Sequence, residues 1–375
     1  MPAVRRVLAR ALLLNIATLA APVSPSTDVA AAPAACAGGT SAAHLNDLFE
    51  EGIGPLVGAD YQRRFRLPDG RRLWVFQDAF LRTPAGATRL VHNVGAIQSG
   101  RCFTVLHSGT AADPRPWIGG ADTSPLHHWF WPLGGTLAAD GTFRLFVAEM
   151  VERGPRYLSH TEPVATWLAT IAVPGLRVTA LRPAPDSSGR LYGWSVVDHG
   201  QFTYLYGHCY RQFGWGFLGH DPCAANVTVA RVPRGRLGQD PTYWDGSRWS
   251  PRPGRAANVA PLRGRDGAAR SVNPMQVAHV AGCWIAVTKV GDWFGETIHL
   301  DRARTPRGPW MTVTILPAPT LGPTSTFNTY FASFIGGTRT AYVVGVSNNR
   351  WDGRLSSAYR PTFRTIPLSA WGCGA

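Results

Sequence analysis

Short apolar runs rich in Val, Ile, Trp, Tyr and Phe alternate along this chain with clusters of Gly, Pro and Asp. No long stretch holds a helical period, so the pattern predicts strands. They fall into five groups. The first covers 72–78, 90–97 and 102–107, and the second 130–137, 142–149 and 165–171. The third covers 191–197, 202–206, 227–232 and a strip over 243–249. The fourth covers 274–279, 283–287, 297–300 and 311–316, and the fifth 329–334, 340–346 and 363–367. One short helix is expected over 44–51, stopped by Gly52.

Sets of three or four antiparallel strands recurring every ~60 residues predict an all-β fold, a five-bladed β-propeller. A pair of β-sandwiches is the alternative, because the repeats share no fixed signature. Nothing resembling a linker divides the chain, so a single domain over 36–375 is expected.

Residues 1–35 read differently. Arg5, Arg6 and Arg10 precede the apolar stretch 11–20, and Ala-x-Ala cleavage options follow near 30–35. This is the pattern of a secretory signal peptide. The apolar run is too short to span a bilayer, so a secreted or envelope-associated monomer free of the membrane is expected. Six cysteines in an exported chain imply disulfides, with Cys209–Cys223 the expected local bridge. His208 and His220 flank that pair, but no CxxC or HxxxH spacing supports zinc, and no metal or cofactor is expected.

Formal net charge is +14, carried by arginine apart from the lone Lys289. That balance suits anionic surroundings such as a phosphate-bearing envelope polymer, or reflects codon bias. The arginines are scattered rather than clustered, which argues against a nucleic-acid partner.

The chemistry starts from Asp78, the only acid in the apolar run 71–81. A carboxylate buried there without a partner costs several kcal/mol, so it is paired or used. Asp60 precedes it by one hairpin's length. Two carboxylates on adjacent strands are the minimum for glycosidic cleavage, one protonated as acid and one ionised as base or nucleophile. Asp78, hemmed by Trp74, Phe76 and Phe80, is read as the acid, and Asp60, in a polar turn, as the base. Turn-capping for Asp60 and a structural Arg partner for Asp78 are the competing structural readings. Glu149 is a candidate third acid. His92 and Asn93 are candidates for bonding sugar hydroxyls, and Trp131 for stacking on a sugar face.

Several segments together resemble a known family. They are Gly58-Ala-Asp60-Tyr, Leu67-Pro-Asp-Gly70, Leu73-Trp-Val-Phe-Gln-Asp78-Ala-Phe and Asn93. Later come Phe130-Trp-Pro132, Leu205-Tyr206-Gly207, Ala230-Arg-Val-Pro233, Tyr243-Trp-Asp-Gly246 and Arg304-Thr-Pro-Arg-Gly-Pro-Trp310. In this order they resemble a bacterial endo-D-arabinanase family, glycoside hydrolase family 183, across nearly the whole chain after residue 35. The resemblance implies a five-bladed propeller with a central funnel. It also implies cleavage of α-linked D-arabinofuranose polymers such as mycobacterial arabinogalactan and lipoarabinomannan, with Asp60 and Asp78 as the acidic pair. Tyr206, in its matching segment, joins Asn93, Trp131 and Glu149 as a substrate-binding candidate. The chain departs from the family pattern at Ala59, Gln77 and Ala79, where Thr, Gly and Thr are usual.

Overall fold

The computed structural model describes residues 30–31, 36, 39–119, 128–152, 161–186, 190–208, 227–261, 275–290, 296–319, 329–348 and 359–373. The Cys209–Cys223 bridge with His220, and all but two residues of the expected signal peptide, lie outside them.

Five antiparallel sheets follow one another along the chain. The first holds β1 (Ala30–Ala31), β2 (Leu56–Ala59), β3 (Arg63–Arg66), β4 (Arg72–Arg82), β5 (Thr88–Ser99), β6 (Cys102–Gly109) and β7 (Pro114–Arg115). The second holds β8 (His128–Leu137), β9 (Phe143–Glu152), β10 (Thr161–Ala172) and β11 (Arg177–Pro183). The third holds β12 (Ser195–His199), β13 (Phe202–His208), β14 (Val227–Pro233), β15 (Thr242–Trp244) and β16 (Trp249–Ser250). The fourth holds β17 (Gln276–Val280), β18 (Cys283–Val290), β19 (Thr297–Ala303) and β20 (Met311–Pro317). The last holds β21 (Thr329–Gly337), β22 (Ala341–Asn348) and β23 (Thr362–Pro367).

Contacts run from β3 to β8, β8 to β12, β12 to β17, β17 to β21 and β21 back to β3. The five innermost strands therefore close a ring, and the fold is a five-bladed β-propeller. Each pair of neighbouring blades buries an apolar layer. One such layer joins Leu73, Val75 and Leu106 of the first blade to Leu145, Val147 and Ile171 of the second. Close inner-strand approach needs glycine at one point. Gly193, at φ +103°, accepts a hydrogen bond from Gly134 N, and a Cβ there would lie 2.4 Å from the Phe146 ring.

Among the described residues the last blade has three strands, and the helix over 42–51 packs on it. The helix α1 (Ala42–Glu51) starts at a Ser41 N-cap and ends at Gly52. It buries Leu45, Leu48 and Phe49 against Phe363 and Ile335. Asn46 stands in for a neighbouring strand: its Nδ2 donates to Phe363 O (2.9 Å), and its Oδ1 accepts from Phe363 N (2.7 Å). The helix and β23 thus hold one another in place.

Disulfides Cys36–Cys102 and Cys283–Cys373 tie the flanking segments to the first and fourth blades. The pair Ala30–Ala31 adds a strand to β6, within the stretch expected to be removed. Among the described residues, no helix is long and apolar enough to cross a membrane.

Candidate active site

The inner strand of the first blade is broken between β2 and β3, and the break is Asp60-Tyr61-Gln62. Tyr61 sits at φ +47°, a left-handed conformation that costs a non-glycine residue about 1–2 kcal/mol. The last blade holds it there. Tyr61 N donates to Ser347 Oγ (2.9 Å), Ser347 Oγ donates to Gln62 Oε1 (2.8 Å), and Ser333 Oγ donates to Gln62 O (2.6 Å). The first and last blades meet at this break, so ring closure shapes it.

The break brings the two aspartates together. Asp60 N donates to Asp78 O (3.0 Å), and Asp78 N donates to Asp60 Oδ1 (3.0 Å). Tyr330, from the inner strand of the last blade, donates its hydroxyl to Asp60 Oδ2 (2.6 Å). Both aspartates are buried, Asp60 4% and Asp78 5% exposed. Burial raises the Asp60 carboxyl well above its usual range, and the Asp78 charge raises it further. The hydrogen bonds from Tyr330 and the Asp78 amide pull the other way. Asp60 is thus the carboxyl that the site favours in its protonated form. The sequence points to Asp78 as the acid because of its apolar neighbours, whereas the carboxyl raised by burial is that of Asp60.

Asp78 is served by different partners. Its Oδ1 receives His92 Nδ1 (2.7 Å) and Trp131 Nε1 (2.9 Å). Two ring nitrogens from different strands thus converge on one oxygen of Asp78. His92 lies across the hairpin from Asp78 and stacks on Trp129, with ring centroids 4.5 Å apart and planes 13° apart. Trp131 is half-buried and lies nearly parallel to Tyr61, so a sugar-stacking candidate also proves to be a hydrogen-bond donor to the acid pair.

The other candidates are placed elsewhere. Asn93 is fully buried at φ +47°, and its amide is spent on backbone. Its Nδ2 donates to Ile118 O (3.1 Å) and Phe130 O (3.0 Å), and its Oδ1 accepts from Ile118 N (2.6 Å). It fastens the first blade to the second and offers nothing to a sugar. Tyr206 is fully buried between the third and fourth blades, its hydroxyl donating to Pro306 O (2.6 Å). It is a core residue. Glu149 has both oxygens engaged, by His128 Nε2 (2.6 Å) and Trp167 Nε1 (2.5 Å). Its neighbours Ala148 and Met150 face the layer that contains Tyr61, so strand alternation turns Glu149 to the opposite face. It shares no partner with the aspartate pair.

Tyr330 and Ser347 were not legible as site residues. Each lies in an apolar strand more than 250 positions from Asp60, and no local spacing marks it. Among the described residues, no group of three or more His, Cys, Asp or Glu side chains could hold a metal ion.

Comparison with known proteins agrees with the fold. A protein from Bacteroides ovatus, provisionally described as a hydrolase, is 18% identical with a TM-score of 0.63, covering 85% of this chain and 88% of that one. At that identity the likeness is one of fold. Two glycoside hydrolase family 43 enzymes superpose more loosely. The Xanthomonas citri enzyme complexed with xylose has 16% identity and a TM-score of 0.47, covering 83% of this chain and 87% of that one. The Bacillus licheniformis endo-arabinanase has 9% identity and a TM-score of 0.42, covering 83% and 93%. No curated protein matches the chain. One family model does match, over residues 43–342, and it spans the propeller from α1 into β22, taking in both aspartates. The chain belongs to the family described as Domain of unknown function (DUF5005).

Proposed function

We propose that this protein is a secreted glycoside hydrolase that cleaves α-D-arabinofuranosyl linkages in cell-wall arabinan, with Asp60 as general acid and Asp78 as base or nucleophile. The observation that carries this reading is the pairing of two buried carboxyls at the broken inner strand, one pushed toward its protonated form and the other supplied with two N–H donors. Hydrolysis of a glycosidic bond needs this asymmetry. Asp60 gives its proton to the leaving oxygen, and Asp78 activates water or attacks the anomeric carbon. His92 and Trp131 orient Asp78. The arabinan assignment rests on the sequence segments that resemble endo-D-arabinanases. The test is incubation with mycobacterial arabinogalactan, reading released oligo-arabinosides. Polymer that is bound but left uncut supports a carbohydrate-binding propeller instead.

Trp131→Phe keeps a ring against Tyr61 but removes the donor to Asp78. The loss of a hydrogen bond to a charged group predicts a fall in kcat of about 10–100-fold with a small change in KM. A raised KM at unchanged kcat would mean that the indole binds sugar without tuning Asp78.

The raised Asp60 pKa also has a stability signature. The folded state holds this proton more tightly than the unfolded chain. The resulting stabilisation is complete below the unfolded carboxyl pKa, near 3.8, and is lost as pH rises through the raised folded value. Urea midpoints of wild type are expected to fall across that window relative to those of Asp60→Asn, which has no such proton to lose. Activity should fall across the same window as the acid ionises. Parallel pH profiles of stability for the two proteins would remove Asp60 as the protonated partner.

A further inference from the structure

Tyr330 lies in the inner strand of the last blade, and the strand is irregular at that residue. The β21–β22 register pairs Thr329 with Asn348 and then Phe331 with Ser347, two steps on one strand against one on the other. Tyr330 is therefore the extra residue of a β-bulge, a device that bends a strand and re-aims a side chain. The packing shows the effect. Neighbours on a regular strand face opposite ways, yet Tyr330 and Phe331 are both fully buried in one apolar layer. Alternation resumes at Ala332, which packs in a different layer. The layer of Tyr330 also holds Tyr61, whose ring centroid lies 5.4 Å from that of Tyr330 and 4.6 Å from that of Phe331.

The re-aimed hydroxyl ends on the acid pair. It donates to Asp60 Oδ2 (2.6 Å), while Asp60 Oδ1 accepts from Asp78 N (3.0 Å). Each carboxyl oxygen of Asp60 thus meets a donor, one from the first blade and one from the last, and the two bonds fix the plane of the group. Burial and then the Asp60 charge raise the Tyr330 pKa well above its usual range, so the phenol stays a donor wherever the carboxyl titrates. The other titratable groups around this contact are Asp78 on β4, Tyr61 beside Asp60, and Tyr359, which stacks on Phe80. His92 on β5 reaches the pair through Asp78, and Arg63 on β3 lies instead over the Trp194 and Phe331 rings.

We propose that the bulge makes Tyr330 a positioning residue for the general acid, its hydroxyl holding the Asp60 carboxyl in the orientation from which it delivers its proton. This role rests on the hydrolase reading given above, whereas the hold on Asp60 does not. A donor to Oδ2 favours the ionised carboxyl, so removing it makes Asp60 keep its proton to higher pH.

Tyr330→Phe keeps the ring against Tyr61 and removes one oxygen. On arabinogalactan its kcat should fall about 10-fold with little change in KM. The alkaline limb of its pH profile should move up by roughly 1 unit, the size expected for one lost hydrogen bond to a charged group. The same shift is read without substrate. The pH window over which urea midpoints fall should extend upward by the same amount. A residue that only fills the core would lower stability at every pH and leave limb and window unmoved. If Tyr330→Phe does not fold, 3-fluorotyrosine at position 330 nearly keeps the shape and makes the phenol a stronger donor, so limb and window should move down. An unmoved stability window overturns the role of Tyr330 whether or not the protein cuts arabinan. A moved window in a protein that leaves arabinan uncut supports the hold on Asp60 and overturns the hydrolase reading alone.

Discussion

Asp78→Asn is expected to slow release of oligo-arabinosides by about 10²–10⁴-fold while leaving the polymer bound. The substitution is nearly isosteric. The amide oxygen still accepts from His92 and Trp131, as Oδ1 does now at 2.7 Å and 2.9 Å, so the local fold has no reason to change. Only the charge is lost, and with it the ability to activate water or attack carbon. Asp60→Asn should give a loss of similar size for the complementary reason: an amide has no proton to give a leaving oxygen. Its Oδ1 still accepts from Asp78 N, and its Nδ2 can donate to the Tyr330 oxygen. On the proposed mechanism the two residues act on one bond, so the double variant should be little worse than the poorer single one. Initial rates with co-sedimentation of the polymer separate chemistry from binding. A wild-type rate in Asp78→Asn would leave the propeller as a binder only.

Asn93→Ala should destabilise the fold by about 3–5 kcal/mol, a loss of the size seen when a buried hydrogen-bond network is broken. The substitution orphans Ile118 N, Ile118 O and Phe130 O in one step, all inside the seam between the first two blades. It also places a Cβ-bearing residue with no local hydrogen bonding at φ +47°, where asparagine is tolerated better than alanine. Urea unfolding at neutral pH measures the loss. The folded fraction should keep its KM, because Asn93 is fully buried with its amide bonded to backbone. Unchanged stability with a raised KM would return Asn93 to the substrate-binding set.

The strand pattern was legible because most strands bury an unbroken or alternating apolar run. Nearly every stretch read as extended in sequence is extended in the structure, the edges moving by a few residues, as with 142–149 against Phe143–Glu152. Short pieces such as β7 were missed and the 243–249 strip is the hairpin of β15 and β16, and two longer misses have a physical reason. The inner strand of the first blade contains Arg63, Arg64 and Arg66 and is interrupted at 60–62, so no period survives. The outer strand Arg177–Pro183 is largely exposed, and its polar residues Arg177, Thr179 and Arg182 break the two-residue alternation, so it reads as loop.

Residue order was enough to indicate an all-β chain in five groups and to single out Asp78 as the lone acid in an apolar run, because periodicity and a misplaced carboxylate are local signals. What buries and raises the Asp60 carboxyl, where Asn93, Glu149 and Tyr206 point, and why Tyr61 holds a left-handed turn were decided only by closure of the ring. Desolvation and hydrogen bonding depend on groups such as Tyr330 and Ser347, which meet Asp60 and Tyr61 across more than 250 residues of chain. Spacing between near neighbours carries no record of them.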